Sequence, residues 1–337
     1  MPEPFHNNDP AGSTRPFRVV RDDSAAVAAF KGGVIAIGNF DGVHRGHRAV
    51  IGAATARAHA LGGPAVALTF EPHPRRFLRP EVPLFRLTDE TTKLRLLAAS
   101  GLSGALVLTF DRALASLSAE DFITRILVGR LAVKGVAIGF DFHYGKDRRG
   151  SPAFLAAEGE RLGFKVEILP PLEDEGRPVS SSSIRAALAA GRVVEAAELI
   201  GNPWFVGGTV LRGDRRGRDL GFPTANLRLD PDCGLKHGIY AVRVRIDGEV
   251  RDGVASFGRR PTFDDGPPLL EVNLFEFSRE LYGRPIDVAF LGWIRAEAKF
   301  EKVEDLVARM GEDARLARQS LARTAASFPP LATFVEE

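Results

Sequence analysis

The sequence predicts two architectures in one chain: an α/β amino-terminal half built on a mainly parallel sheet, then an antiparallel β-barrel with a closing helix. Three observations carry this expectation. Apolar runs alternate with helical patterns in the first half, strand-like runs then follow one another without helices between them, and the length of 337 residues exceeds the roughly 250 to 300 that one core usually holds.

The elements follow in order. Residues 1–16 are polar and interrupted by Pro and Asn, so a mobile tail is expected there. The runs VIAIG (34–38), AVALTF (65–70), ALVLTF (105–110), AVKGVAIGF (132–140) and FKVEIL (164–169) are strand candidates. Between them lie HRAVIGAATARAHALG, TDETTKLRLLAASG, SAEDFITRILVGRL and SPAFLAAEGERLG, which read as helices. Thr88, Ser118 and Ser151 are the expected N-caps, Pro152 suits a first helical position, and Gly62, Gly101 and Gly163 stop their helices. Such alternation places ligands at the carboxyl ends of the strands, near a topological switch point. This first domain is expected over 17–188, followed by a linker helix at 189–203; the stretch SSSIRAALAAGRVVEAAELIG (181–201) reads as two short helices separated by Gly191. From 204 to 325 the runs FVGGTVLR, GIYAVRVRI, EVRDGVASF, LLEVNLFEF and PIDVAFLGWI predict the barrel, residues 301–322 its closing helix, and 326–337 a tail.

Composition narrows the function classes. A net charge of +2 creates no global field that calls for nucleic acid or a membrane. A single cysteine, Cys233, excludes an internal disulfide framework and fits a reducing compartment. The opening MPEPFHNNDPAGSTRP lacks the apolar core of a signal peptide, and no apolar run reaches the roughly 18 residues of a membrane span, so a cytoplasmic protein is expected. The sequence leaves a homo-oligomer open.

Chemistry concentrates in two stretches. In GNFDGVHRGH (38–47), Gly38, Asn39, Phe40, Asp41, Gly42 and Gly46 surround His44 and His47 where the first strand gives way to the first helix. Glycines there let backbone approach a phosphate, and the N–H groups of a helix start attract negative charge. Two imidazoles three residues apart can donate to a phosphate in a transition state. An ordinary turn with surface histidines has the same residues. Likewise Ser181, Ser182 and Arg185 of SSSIR fit either a phosphate contact or a simple N-cap.

The second stretch, GTVLRGDRRGRDLGFPTANL (208–227), holds Gly213, Gly217 and Arg218 in a basic loop, then Pro223, Thr224 and Asn226. The loop suits phosphate; a solvated hairpin or a weak RNA contact is the alternative. Thr224 and Asn226 face one way on an extended segment and can offer hard oxygen ligands to Mg2+. Alternation in LLEVNLFEF sets Glu271, Asn273, Phe275 and Phe277 on one face, with Glu271 either a desolvated carboxylate or a rim glutamate.

GNFDGVHRGH resembles the signature of the FMN adenylyltransferase module of bacterial bifunctional riboflavin kinase/FAD synthetases, a Rossmann-like nucleotidylyltransferase domain. TFEPHPRRF (69–77), IGFDFHYGKDRRG (138–150) and VSSSSIR (179–185) agree in order, PTAN matches the riboflavin kinase module, and the resemblance covers about residues 17 to 323. It implies that Ser181, Ser182 and Arg185 complete an ATP site with His44 and His47, and that Asp141, Phe142, Tyr144 and, in the barrel, Asn273 hold flavin. It also implies that Gly213, Gly217, Arg218 and Pro223 bind ATP, that Thr224 and Asn226 bind Mg2+, and that Glu271 is the general base. Ser256 and Asn273 stand where the family often has Asn and His, which bears on substrate positioning. Riboflavin, FMN, FAD and ATP are then the expected ligands. A chain with one working module, or an RNA-binding protein without turnover, remains the alternative.

Overall fold

A computed structural model describes residues 16–174, 176–212, 222–258 and 268–337. Gly213, Gly217 and Arg218 lie outside the described residues. The chain divides into two compact units, one comprising residues up to Leu84, Thr88–Val179 and Pro330–Glu337, the other Phe85–Leu87 and Ser180–Pro329.

In the first unit β1 (Phe17–Arg21), β2 (Val34–Ile37), β3 (Ala65–Glu71), β4 (Gly104–Thr109), β5 (Gly135–Gly139) and β6 (Lys165–Leu169) form one sheet. Its central strands are continuous apolar runs because helices cover both faces, the usual state of a parallel sheet. A hairpin of β7 (Glu173–Asp174) and β8 (Arg177–Pro178) closes the unit. The sheet order is β15-β1-β4-β3-β2-β5-β6, every pair parallel, with β15 at Phe334–Glu336. The chain runs from β2 outward through β3 and β4, then returns to the other side of β2 as β5. The switch point therefore lies at the carboxyl ends of β2 and β5.

One edge strand differs from expectation. Residues 326–337 were expected as a tail, yet Phe334–Glu336 pairs with Phe17–Arg21, and Arg21 reaches Glu336 at 3.0 Å and Glu90 at 2.7 Å. A three-residue strand whose partner stands more than 300 residues away, as the Arg21–Glu336 separation of 315 shows, leaves no local pattern to read. Ser118 and Ser151 cap as expected, accepting from Asp121 and Phe154 N–H groups at 2.9 and 3.1 Å. Thr88 does not cap: Asp89 accepts from Thr92 N–H at 2.6 Å and starts the helix Glu90–Ala98. Phe122–Arg130, expected as α-helix, winds with the wider π-type turn.

The second unit begins with the helices Ser181–Ala189 and Val193–Ile200, divided at Gly191. Its strands are β9 (Phe205–Thr209), β10 (Ala225–Arg228), β11 (Gly238–Ile246), β12 (Glu249–Gly258), β13 (Leu269–Leu274) and β14 (Pro285–Arg295). They pair antiparallel in the order β10-β13-β12-β11-β14-β9, and a bridge from Leu211 to Asn226 brings the two edges together into a nearly closed barrel. The helix Val303–Ala322 packs over β11, β12 and β14, and Asp313 on it takes a two-pronged bond from Arg295 at 2.8 and 2.5 Å. Among the described residues no helix is long and apolar enough to cross a membrane.

Candidate active sites in two units

The loop from Gly38 to Gly46 leaves the carboxyl end of β2, at the switch point of the parallel sheet. Phe40, Gly42 and Val43 all adopt positive φ, at 51°, 86° and 39°, so the backbone is folded back on itself between strand and helix. His44 then caps the helix Arg45–Leu61, its Nδ1 accepting from the His47 amide at 3.4 Å. With Nδ1 used as acceptor, the neutral His44 ring carries its proton on Nε2, as a donor. The two imidazoles stack with ring centroids 3.7 Å apart, and the Phe40 ring meets His47 edge-on at 5.4 Å. Gly46 suits this packing: a Cβ there would lie 3.2 Å from the His44 ring, a tight contact.

Two residues of the expected ATP site turn their side chains inward. Phe40, 1% exposed, spends its ring on Gly38 and His47. Asp41, 3% exposed, turns its carboxylate to Thr88, accepting from the Thr88 N–H at 3.1 Å and hydroxyl at 3.4 Å, while Gly42 N–H donates to that hydroxyl at 3.1 Å. A buried carboxylate takes such donors because an unpaired charge there is costly. Both residues therefore shape the loop; Asn39 is the exposed side chain of the stretch. Thr88→Val, which keeps volume and removes the hydroxyl, is expected to lower unfolding stability by about 1–3 kcal/mol, measured by denaturant titration.

At the carboxyl end of β5, Asp141 is exposed and Phe142 is half-buried, stacked on Tyr144 at 5.4 Å. Tyr144, for which a flavin role was expected, turns its ring inward. Its ring is 7% exposed, fills the space left by Gly150 and packs on Phe122 at 5.1 Å, and burial raises its pKa. The open aromatics at these strand ends are Phe140, 51% exposed after β5, and Phe77, 38% exposed after β3. Their solvent exposure, invisible in the sequence, is the signal that singles them out.

In the second unit the run of serines opens the helix Ser181–Ala189, at the start of the stretch read as helical. Ser180 is the cap, accepting from Ser183 N–H at 3.1 Å, so Ser181 and Ser182 occupy the first helical turn. Arg185 donates from Nε to the Phe85 carbonyl at 2.5 Å, which fixes its guanidinium.

The barrel brings three polar residues into one row. Asn226 on β10 stands opposite Glu271 on β13, and Glu271 opposite Ser256 on β12. Directly paired residues of this kind share a face with Cβ atoms about 5 Å apart. Asn226 is 6% exposed, and its Oδ1 has no hydrogen-bond partner among the described residues. An orphaned buried amide oxygen is a hard donor of the kind Mg2+ takes, so Asn226 fits that ion. Asn273 donates to the Pro223 carbonyl at 2.8 Å and thereby ties down the segment that presents Thr224 and Asn226. The aromatic surroundings expected for Glu271 are corrected: β13 ends at Leu274, Glu276 turns at φ 52°, and Phe275 leaves the pleat to lie under Arg318 at 3.9 Å. Among the described residues no group of three His, Cys, Asp or Glu could hold a metal.

Comparison with known proteins agrees with this division. Family models described as FAD synthetase and riboflavin kinase match residues 27–183 and 200–321. A bifunctional riboflavin kinase/FMN adenylyltransferase of Pseudomonas fluorescens is 41% identical over 296 residues, covering 88% of this chain and 95% of the relative. The enzyme of the same name from Haemophilus influenzae is 38% identical over 302 residues, covering 89% and 98%. A solved structure described as a macrolide-efflux protein from Streptococcus pneumoniae superposes with a TM-score of 0.79 at 32% identity, covering 89% of this chain and 98% of that one. With both halves matched, in order and over nearly the full length of these relatives, the chain belongs to the bifunctional riboflavin kinase/FMN adenylyltransferase family.

Proposed function

We propose that the chain performs two consecutive ATP-dependent transfers, riboflavin to FMN in the barrel unit and FMN to FAD in the parallel-sheet unit. The observation that carries this reading is that each unit holds its own polar site: the stacked His44 and His47 at the switch point, and the Asn226–Glu271–Ser256 row in the barrel.

In the barrel, Glu271 takes the proton from the ribityl hydroxyl as its oxygen attacks the γ-phosphorus of ATP, and ADP leaves. Thr224 and Asn226 would hold Mg2+, which neutralises phosphate charge when bound. Asn273, through Pro223, keeps the two ligands in place. In the parallel-sheet unit, the phosphate of FMN attacks the α-phosphorus of a second ATP, releasing pyrophosphate. His44 and His47 donate to the oxygens on which charge develops, beside the N–H groups of the helix start. Ser181, Ser182 and Arg185 are assigned to this same reaction from the resemblance of VSSSSIR (179–185) to the family, and the FAD synthetase match takes in the two serines. Phe140 and Phe77 offer apolar faces for the flavin ring. Both reactions take place in the cytoplasm without a nucleic-acid or membrane partner, in keeping with the net charge of +2 and the lone cysteine.

Purified protein incubated with riboflavin, ATP and Mg2+ should yield FMN and FAD on chromatographic separation, and omission of ATP should abolish both. FMN alone would leave only the kinase, and neither product would remove the reading. Asn226→Leu, which replaces the orphaned oxygen by methyl groups, is expected to lower FMN formation by about 10- to 100-fold. A matching rise in the Mg2+ concentration needed for half-maximal rate is the diagnostic signature.

A further inference from the structure

A lysine lies in the core of the parallel-sheet unit with no place in the reaction described above. Lys93, on the helix Glu90–Ala98, is 2% exposed. Its Nζ donates to Glu71 Oε1 at 2.7 Å, Thr69 Oγ1 at 3.2 Å and the Phe70 carbonyl at 3.4 Å. Thr69 is wholly buried on β3, and its hydroxyl donates to the Asn39 carbonyl at 3.3 Å.

We propose that Lys93 is a positioning residue for adenylyl transfer, which through Thr69 fixes the backbone of the loop carrying His44 and His47. The proposal rests on the adenylylation reading of that loop. Its logic is one of donors and acceptors. An ammonium only donates, so the Thr69 oxygen must offer Lys93 a lone pair, which leaves the hydroxyl proton for Asn39. Lys93 thus sets the direction of a bond it does not itself make. A buried ion pair is by itself weak evidence for stability, because the cost of burying both charges offsets much of their attraction. The same helix grips the loop a second time, because Thr88, just ahead of its cap, binds Asp41 and Gly42. Asn39 and Gly42 are therefore held on both sides of Phe40, whose positive φ would otherwise relax.

The test separates hydroxyl from volume. Thr69→Val keeps the shape and loses the relay; Thr69→Ser keeps the relay and loses a methyl group. For Thr69→Val, kcat/KM of FMN adenylylation is expected to fall roughly 10- to 100-fold, as for a small misplacement of reacting groups. Thr69→Ser should restore most of it, and riboflavin phosphorylation by the same protein should stay at the wild-type rate in both. Lys93→Met should show the same loss, and Lys93→Met with Thr69→Val should lose no more than either alone. Wild-type adenylylation by Thr69→Val, or a Thr69→Ser protein as impaired as Thr69→Val, overturns the proposal. Wild-type protein that makes no FAD overturns the functional reading beneath it.

Discussion

Glu271→Ala is expected to end FMN formation from riboflavin while FMN supplied directly is still converted to FAD. The reasoning starts from the row across the barrel, where Glu271 faces Asn226 on one side and Ser256 on the other. A base must reach the hydroxyl that attacks the phosphorus, and the carboxylate beside the proposed metal ligands is the group placed to do so. Loss of general-base catalysis costs about 10²- to 10⁴-fold, read as initial rate of FMN appearance. Glu271→Gln should be equally inactive, because an amide keeps the shape and cannot take the proton. Equal loss of both reactions would contradict the division of chemistry between the units.

His47→Ala is expected to do the reverse, sparing FMN formation and cutting FAD formation by about 10²- to 10³-fold, the usual effect of removing one preorganised donor, or about 2.7–4 kcal/mol. His47 is stacked on His44 at 3.7 Å and held edge-on by Phe40, so its ring is fixed before any substrate arrives. The helix itself should survive, because its cap comes from His44. Unchanged FAD yield would take His47 out of the site.

Much of this was legible in sequence because the signals are local. The central strands of the parallel sheet are largely apolar runs, and Gly62 and Gly163 end their helices in the left-handed conformation, as their positions suggested. The face that Glu271 occupies also follows a readable rule, since alternation along β13 buries Leu270, Val272 and Leu274 and leaves Glu271 and Asn273 on the other face. What escaped depends on contacts between distant residues. Nothing near Asp41 announces that Thr88 will occupy its carboxylate, nor does any pattern join Lys93 to Thr69. The burial of Tyr144 escaped for a related reason: an aromatic in a glycine-containing loop can face solvent or pack inward, and the space beside Gly150 is visible only in the structure.

The central claim is that one polypeptide carries two separable sites. It is tested most directly by mixing the Glu271→Ala and His47→Ala proteins with riboflavin, ATP and Mg2+ and following FAD. Neither variant alone should convert riboflavin to appreciable FAD, while the mixture should do so at a rate that rises with the concentration of either, as FMN made by one protein is adenylylated by the other. A mixture that makes no FAD, although each variant retains its own half-reaction, would contradict the account.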